Sequence, residues 1–140
     1  MGVLNEITPA SLYSLTFSGK EARYNAIFPP FELPAKNIEA VKTFFSEVFG
    51  WFFTDYGPEY TAFTNAGIDG GFYKSDLSAN TSIGSALIVF YSRELENTQS
   101  KIEQAGGKII KPIFSFSGGR RFHFSDPNGN EYAVWSDSGL

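Results

Sequence analysis

A chain of 140 residues with 42% apolar and 17% aromatic side chains has the size and makeup of one folded domain with a sizeable core. The absence of cysteine excludes disulfides, thiolate metal sites and a cysteine nucleophile, and it fits a reducing compartment, so a cytoplasmic location is expected. A net charge of −4, with Arg120-Arg121 as the only adjacent basic pair, argues against nucleic acid as a partner, and no apolar run is long enough for a membrane span.

Residues 1–25 are mixed and polar with weak periodicity, and read as an N-terminal extension. They show no basic start before an apolar block, so no secretory leader is expected. The stretch 26–35, AIFPPFELPA, is extended, because Pro29, Pro30 and Pro34 forbid helix there and favour an edge-type strand. Asn37 is a good N-cap. After it Ile38, Val41, Phe44, Phe45 and Val48 recur at helical spacing, and Gly50 supplies a stop, which predicts a helix over 38–49. Strand-like segments follow at 51–56, 59–65 and 70–75, separated by Gly57-Pro58 and by the glycines between 67 and 71.

A polar link over 76–84 leads to SALIVFYS (85–92), a continuous apolar run that suits a buried strand. Leu95, Thr98, Ile102 and Ala105 place a second helix at about 94–105, ended by Gly106-Gly107. Strands are expected at 108–116, 120–126 and 130–136, the last two joined by the strong turn signal Asp126-Pro127-Asn128-Gly129-Asn130. The halves, about 26–75 and 83–137, thus repeat one order: extended segment, helix, three strands. Asn37 precedes Gly50 by the same 13 positions that separate Glu94 from Gly107.

Three motifs carry a family resemblance. FELPAKNIEAVKTFFSEVFGW (31–51) resembles the opening unit of the glyoxalase/bleomycin-resistance/extradiol-dioxygenase superfamily, with Phe44-Phe45 and Phe49-Gly50-Trp51 in the expected places. LENTQSKIEQAGGKII (95–110) is similar to the partner unit, and FSDPNGNEYAVW (124–135) to the closing hairpin. The resemblance implies an α+β fold of two βαβββ modules that form a cupped, half-open mixed β-sheet barrel with helices outside. It also implies a ligand in the cup and, in the enzymes, a divalent metal held by four His, Gln or Glu side chains, two per module.

Those ligand positions are emptied here. Seven residues before Asn37 stands Pro30, seven before Glu94 stands Leu87, and three after Asn130 stands Ala133. Gly70-Gly71-Phe72-Tyr73 offers no donor either, and Pro, Leu and Ala cannot coordinate an ion through their side chains. No metal ligands and no cofactor are therefore expected.

Strand alternation then places Glu32, Val89, Tyr91, Glu131 and Trp135 in the cup, with Phe31, Leu33, Ile88, Phe90, Tyr132 and Val134 under the helices. Tyr60, Phe63, Phe72 and Phe116 are further lining candidates of unknown facing. Arg120-Arg121 after Gly118-Gly119 could hold a carboxylate or phosphate, Arg121 being the ligand-binding candidate. His123 alternates with Arg121 and Ser125, which reads as a solvated face. If it faces the cup instead, it is the side chain suited to proton transfer, with Glu32 as the second catalytic candidate.

The expected function is metal-free binding of a small aromatic or apolar organic molecule, by a chain that pairs as a homodimer. The alternative is a divergent lyase, isomerase or dioxygenase-type enzyme.

Overall fold

The computed structural model describes residue 29 and residues 31–138, so the extension expected over 1–25 and Pro30 lie outside the described residues. The elements run β1 (Glu32–Ala35), α1 (Ile38–Phe49), β2 (Phe52–Asp55), β3 (Tyr60–Thr64) and β4 (Gly70–Lys74). A 3₁₀ turn (Thr81–Ile83) in the link precedes β5 (Ile88–Tyr91), α2 (Leu95–Gln104), β6 (Lys108–Phe116), β7 (Gly119–Ser125) and β8 (Glu131–Ser136). Each half builds a four-stranded mixed sheet of the same order, β1-β4-β3-β2 and β5-β8-β7-β6. In both, the strand before the helix lies parallel to the last strand of its module. The doubled βαβββ reading therefore holds, with no closed barrel.

Local chemistry sets the helix ends. Asn37 is extended, and its side-chain oxygen accepts from the Ala40 N–H at 3.0 Å. Gly50 takes the left-handed conformation (φ 71°) and returns its N–H to the last turn of α1. At α2 the N-cap residue, Glu94, makes no side-chain bond to the helix. Ser92 substitutes, accepting the Glu94 N–H at 3.1 Å and pairing with Thr98 Oγ1 at 2.7 Å inside the core.

The inner stripe of α1 packs on both sheets. Phe45 stacks on Trp51 (4.4 Å between centroids) and Phe72 (5.7 Å), and meets Tyr132 of the other module edge-on at 5.3 Å. Phe49 lies 5.1 Å from Phe90, and Phe44 lies 6.1 Å from Phe124. One aromatic core therefore unites the modules, which accounts for much of the high Phe count.

The closing turn acts as a clamp. Asp126 Oδ1 accepts the N–H groups of Asn128 (2.8 Å) and Asn130 (3.1 Å), and Asp126 Oδ2 accepts the Tyr132 hydroxyl (2.8 Å). Asn130 then donates to Pro34 O of β1 at 2.7 Å and accepts from the Ala79 N–H of the link, while Asn128 Oδ1 accepts from the Asn37 N–H. A motif legible as a turn is, in the fold, the joint between modules.

Candidate ligand-binding site

Strand register fixes which side chains face away from the helices. On the first sheet Glu32 pairs with Gly71 and Pro34 with Tyr73, while Tyr60 pairs with Tyr73 and Ala62 with Gly71. These residues, with Phe52 and Thr54 of β2, form its open face. On the second sheet Val89 pairs with Ala133, Ala133 with His123, Tyr91 with Trp135 and Trp135 with Arg121. Of the residues expected in the cup, Glu32, Tyr91, Glu131 and Trp135 share these open faces, joined by Tyr60, Phe116, Arg121 and His123.

Two lining candidates are corrected. Phe63 and Phe72 pair with core-side neighbours and are 1% and 0% exposed under the helices, stacked among Trp51 and Phe45. Their strands are one residue out of phase with a cup-lining reading, and a one-residue slip reverses every side chain.

The reading of His123 as solvated is also corrected. His123 and Glu131 are 5% and 6% exposed, and Nδ1 of His123 lies 2.8 Å from Oε2 of Glu131. Oε1 of Glu131 accepts both the backbone N–H and the hydroxyl of Thr81, each at 2.8 Å. On the other side Nη2 of Arg121 lies 2.9 Å from Nε2 of His123. Arginine has no acceptor, so Nε2 must offer its lone pair and Nδ1 carries the proton it donates to Glu131. The result is an ordered chain from the link to the open face: Thr81, Glu131, His123, Arg121. Burial alone would raise the Glu131 pKa, but the Thr81 N–H, His123 and the Thr81 hydroxyl outweigh it and hold the carboxyl below its ordinary range.

Aromatic rings surround this chain. Tyr91 meets Trp135 edge-on at 5.1 Å, Phe116 lies 6.2 Å from Trp135, and the Arg121 guanidinium carbon sits 5.9 Å from the Phe114 centroid. Phe114 went unremarked in the sequence because a register shift between Lys111 and Phe114 defeats simple alternation. The neighbouring Arg120 points the other way, to Glu96 of α2, and has no part in the site.

On the first sheet a recess of ≈ 320 Å³ is lined by Glu32, Pro34, Tyr73, Leu77 and Ile83 among others. On the same sheet the Tyr60 ring lies across Gly71, and its buried hydroxyl closes no hydrogen bond of normal geometry. Burial, and then the Glu32 carboxylate beside it, raise the Tyr60 hydroxyl well above the ordinary phenol range. A larger groove of ≈ 550 Å³ runs over Lys42, Ser46 and Phe53 on the outer side of α1. It collects neither the aromatic cluster nor the buried polar chain.

The metal centre that the fold implies does not fit these residues. Leu87 and Ala133 bring no donor, and a side chain at Gly71 would collide with the Tyr60 hydroxyl and lie 3.0 Å from the Thr61 carbonyl oxygen. Among the described residues no three His, Asp or Glu side chains group to hold an ion.

The comparisons agree with this architecture. Among solved structures the chain is similar to a glyoxalase-related enzyme from Fulvimarina pelagi (20% identity, TM-score 0.63, covering 75% of this chain and 84% of that one). It is also similar to a mutant of the fosfomycin resistance protein FosX from Listeria monocytogenes, complexed with Mn(II) and 1S,2S-dihydroxypropylphosphonic acid. There the identity is 18% and the TM-score 0.64, over 79% of this chain and 88% of that one. A third likeness is lactoylglutathione lyase from Agrobacterium tumefaciens (18%, TM-score 0.57, over 75% and 89%). No curated protein matches the sequence. The profile of one family covers residues 27–134, from the strand before α1 into β8. With that match spanning both modules, the chain belongs to the Glyoxalase/Bleomycin resistance protein/Dioxygenase superfamily.

Proposed function

We propose that this protein binds a small, largely aromatic organic molecule against the open sheet faces without a metal ion. The observation that carries this reading is the second sheet's open face. Trp135, Tyr91 and Phe116 cluster there beside a buried polar chain, at the level where Ala133 stands in the place of a metal ligand. Aromatic walls with a few fixed polar groups are the makeup of an organic-ligand site.

Both open faces carry exposed rings and aliphatic groups, Phe52 (65% exposed), Ile83 (69%) and Phe114 (40%) among them. A second copy of the chain laid across these faces would cover them and close the cup, so the working state is a homodimer. A thermal-shift screen of aromatic and apolar compounds, run with and without Mn, Ni, Zn and Fe, tests the reading. Ligands that raise the melting temperature equally in both series support it. Stabilisation that appears only with a metal overturns it. Light scattering on the same samples should give twice the mass of one chain, and a monomer at working concentration would remove the pairing.

A second reading, metal-independent acid–base catalysis, is favoured by one observation: the buried Tyr60 hydroxyl beside the Glu32 carboxylate on the first open face. Once a turnover is found, Glu32→Gln should lower it at least tenfold. An unchanged rate removes this reading.

A further inference from the structure

We infer that the ligand is an aromatic carboxylate, with its carboxylate on Arg121 and its ring against Trp135. This rests on the binding reading above and names the class of molecule. The argument begins with how Arg121 is held. A carboxylate that fixes an arginine also cancels its charge. Among the described residues no Asp or Glu pairs with Arg121. It is oriented instead by the imidazole of His123, whose lone pair accepts from Nη2. Glu131 lies one residue further back, bonded to the opposite ring nitrogen and to Thr81.

Arg121 is thus aimed without being neutralised, and its buried Nε–H has no partner. A buried donor left unmade costs free energy that an incoming oxygen would recover. Lys111, paired with His123 across β6 and β7, adds a second cation to the same face. Arg120 shares the unpartnered Nε–H but is the contrast in charge: Glu96 already neutralises it through its terminal nitrogens at 2.5 and 3.2 Å.

Position selects the rest of the ligand. Arg121 lies directly opposite Trp135 on β8 and Phe114 on β6. Directly paired side chains start ≈ 5 Å apart, so an acid that reaches the guanidinium has its ring beside the neighbouring indole. A planar acid can therefore take a bidentate contact from the guanidinium while its ring stacks on the indole. His123 acts as a positioning residue in this arrangement.

Titration of the full-length protein with 2-naphthoate, and in parallel with the neutral isostere 2-naphthamide, tests the assignment, with Trp fluorescence as readout. The naphthoate should bind ~tenfold or more tightly, the scale of one charge-assisted contact. Arg121→Gln should erase that preference, bringing naphthoate to the affinity of naphthamide, and Arg121→Met provides a second test if the first variant folds poorly by circular dichroism. His123→Phe should shrink the preference, and His123→Gln, whose amide oxygen can still accept from Arg121, should keep more of it. Equal binding of acid and amide to the native protein overturns the carboxylate assignment but leaves the aromatic site standing. Binding of neither overturns both.

Discussion

Arg120 and Arg121 are adjacent in sequence and opposite in role, because a β-strand sends successive side chains to opposite faces. One closes an exposed ion pair with α2, of a kind that contributes little to stability. The other is held uncancelled on the open face. The sequence showed the pair but not the difference, since nothing local says which face of β7 is covered. The burial of His123 is hidden in the sequence for the same cause. Its partner Glu131 is held by Thr81, 50 residues earlier in the chain, through two hydrogen bonds that no spacing rule anticipates. A pH dependence follows from Glu131. Its folded pKa lies below the unfolded one, so it contributes stability above the unfolded value, near 4.5, and this is lost as pH falls through the folded value. Glu131→Gln should therefore lower stability near neutrality and flatten the acid side of the profile, as read from urea midpoints between pH 3 and 7. A variant profile parallel to the native one throughout would show that Glu131 is not held as described.

At the scale of elements, α1 was the most legible part of the chain. Its cap, apolar spacing and terminal glycine all point the same way, and each appears in the fold where expected. The short strands β3 and β4 were legible as strands but not in facing, because neither has a clean polar–apolar alternation to anchor it. That is why the sequence does not reveal that Phe63 and Phe72 belong to the core. The helix carries the more consequential packing. Phe45 touches Trp51 and Phe72 of its own module and Tyr132 of the other. Phe45→Ala should cost about 3–5 kcal/mol, the range for removing a fully buried ring. Because that ring joins both sheets, chemical denaturation should stay a single transition in the variant, merely displaced to lower denaturant. Two separated transitions would mean that the modules hold independent cores.

For the whole molecule, duplication was readable from two equal cap-to-glycine spacings and matching element order, and the two sheets of identical topology bear it out. What the duplication is for could be read only by elimination, from Leu87 and Ala133 where donors would stand. The fold adds the positive half: the Tyr60 ring occupies the space above Gly71, and the second open face is an aromatic cluster with a fixed, uncompensated arginine. The central claim is that this face recognises its ligand without a metal. Isothermal titration of Mn(II) into the chelator-treated full-length chain, alone and then saturated with a ligand found by thermal shift, tests it most directly. The account predicts no saturable heat in either case and the same ligand affinity before and after chelation. One Mn(II) bound per chain, or ligand binding that returns only when the ion is restored, would contradict it.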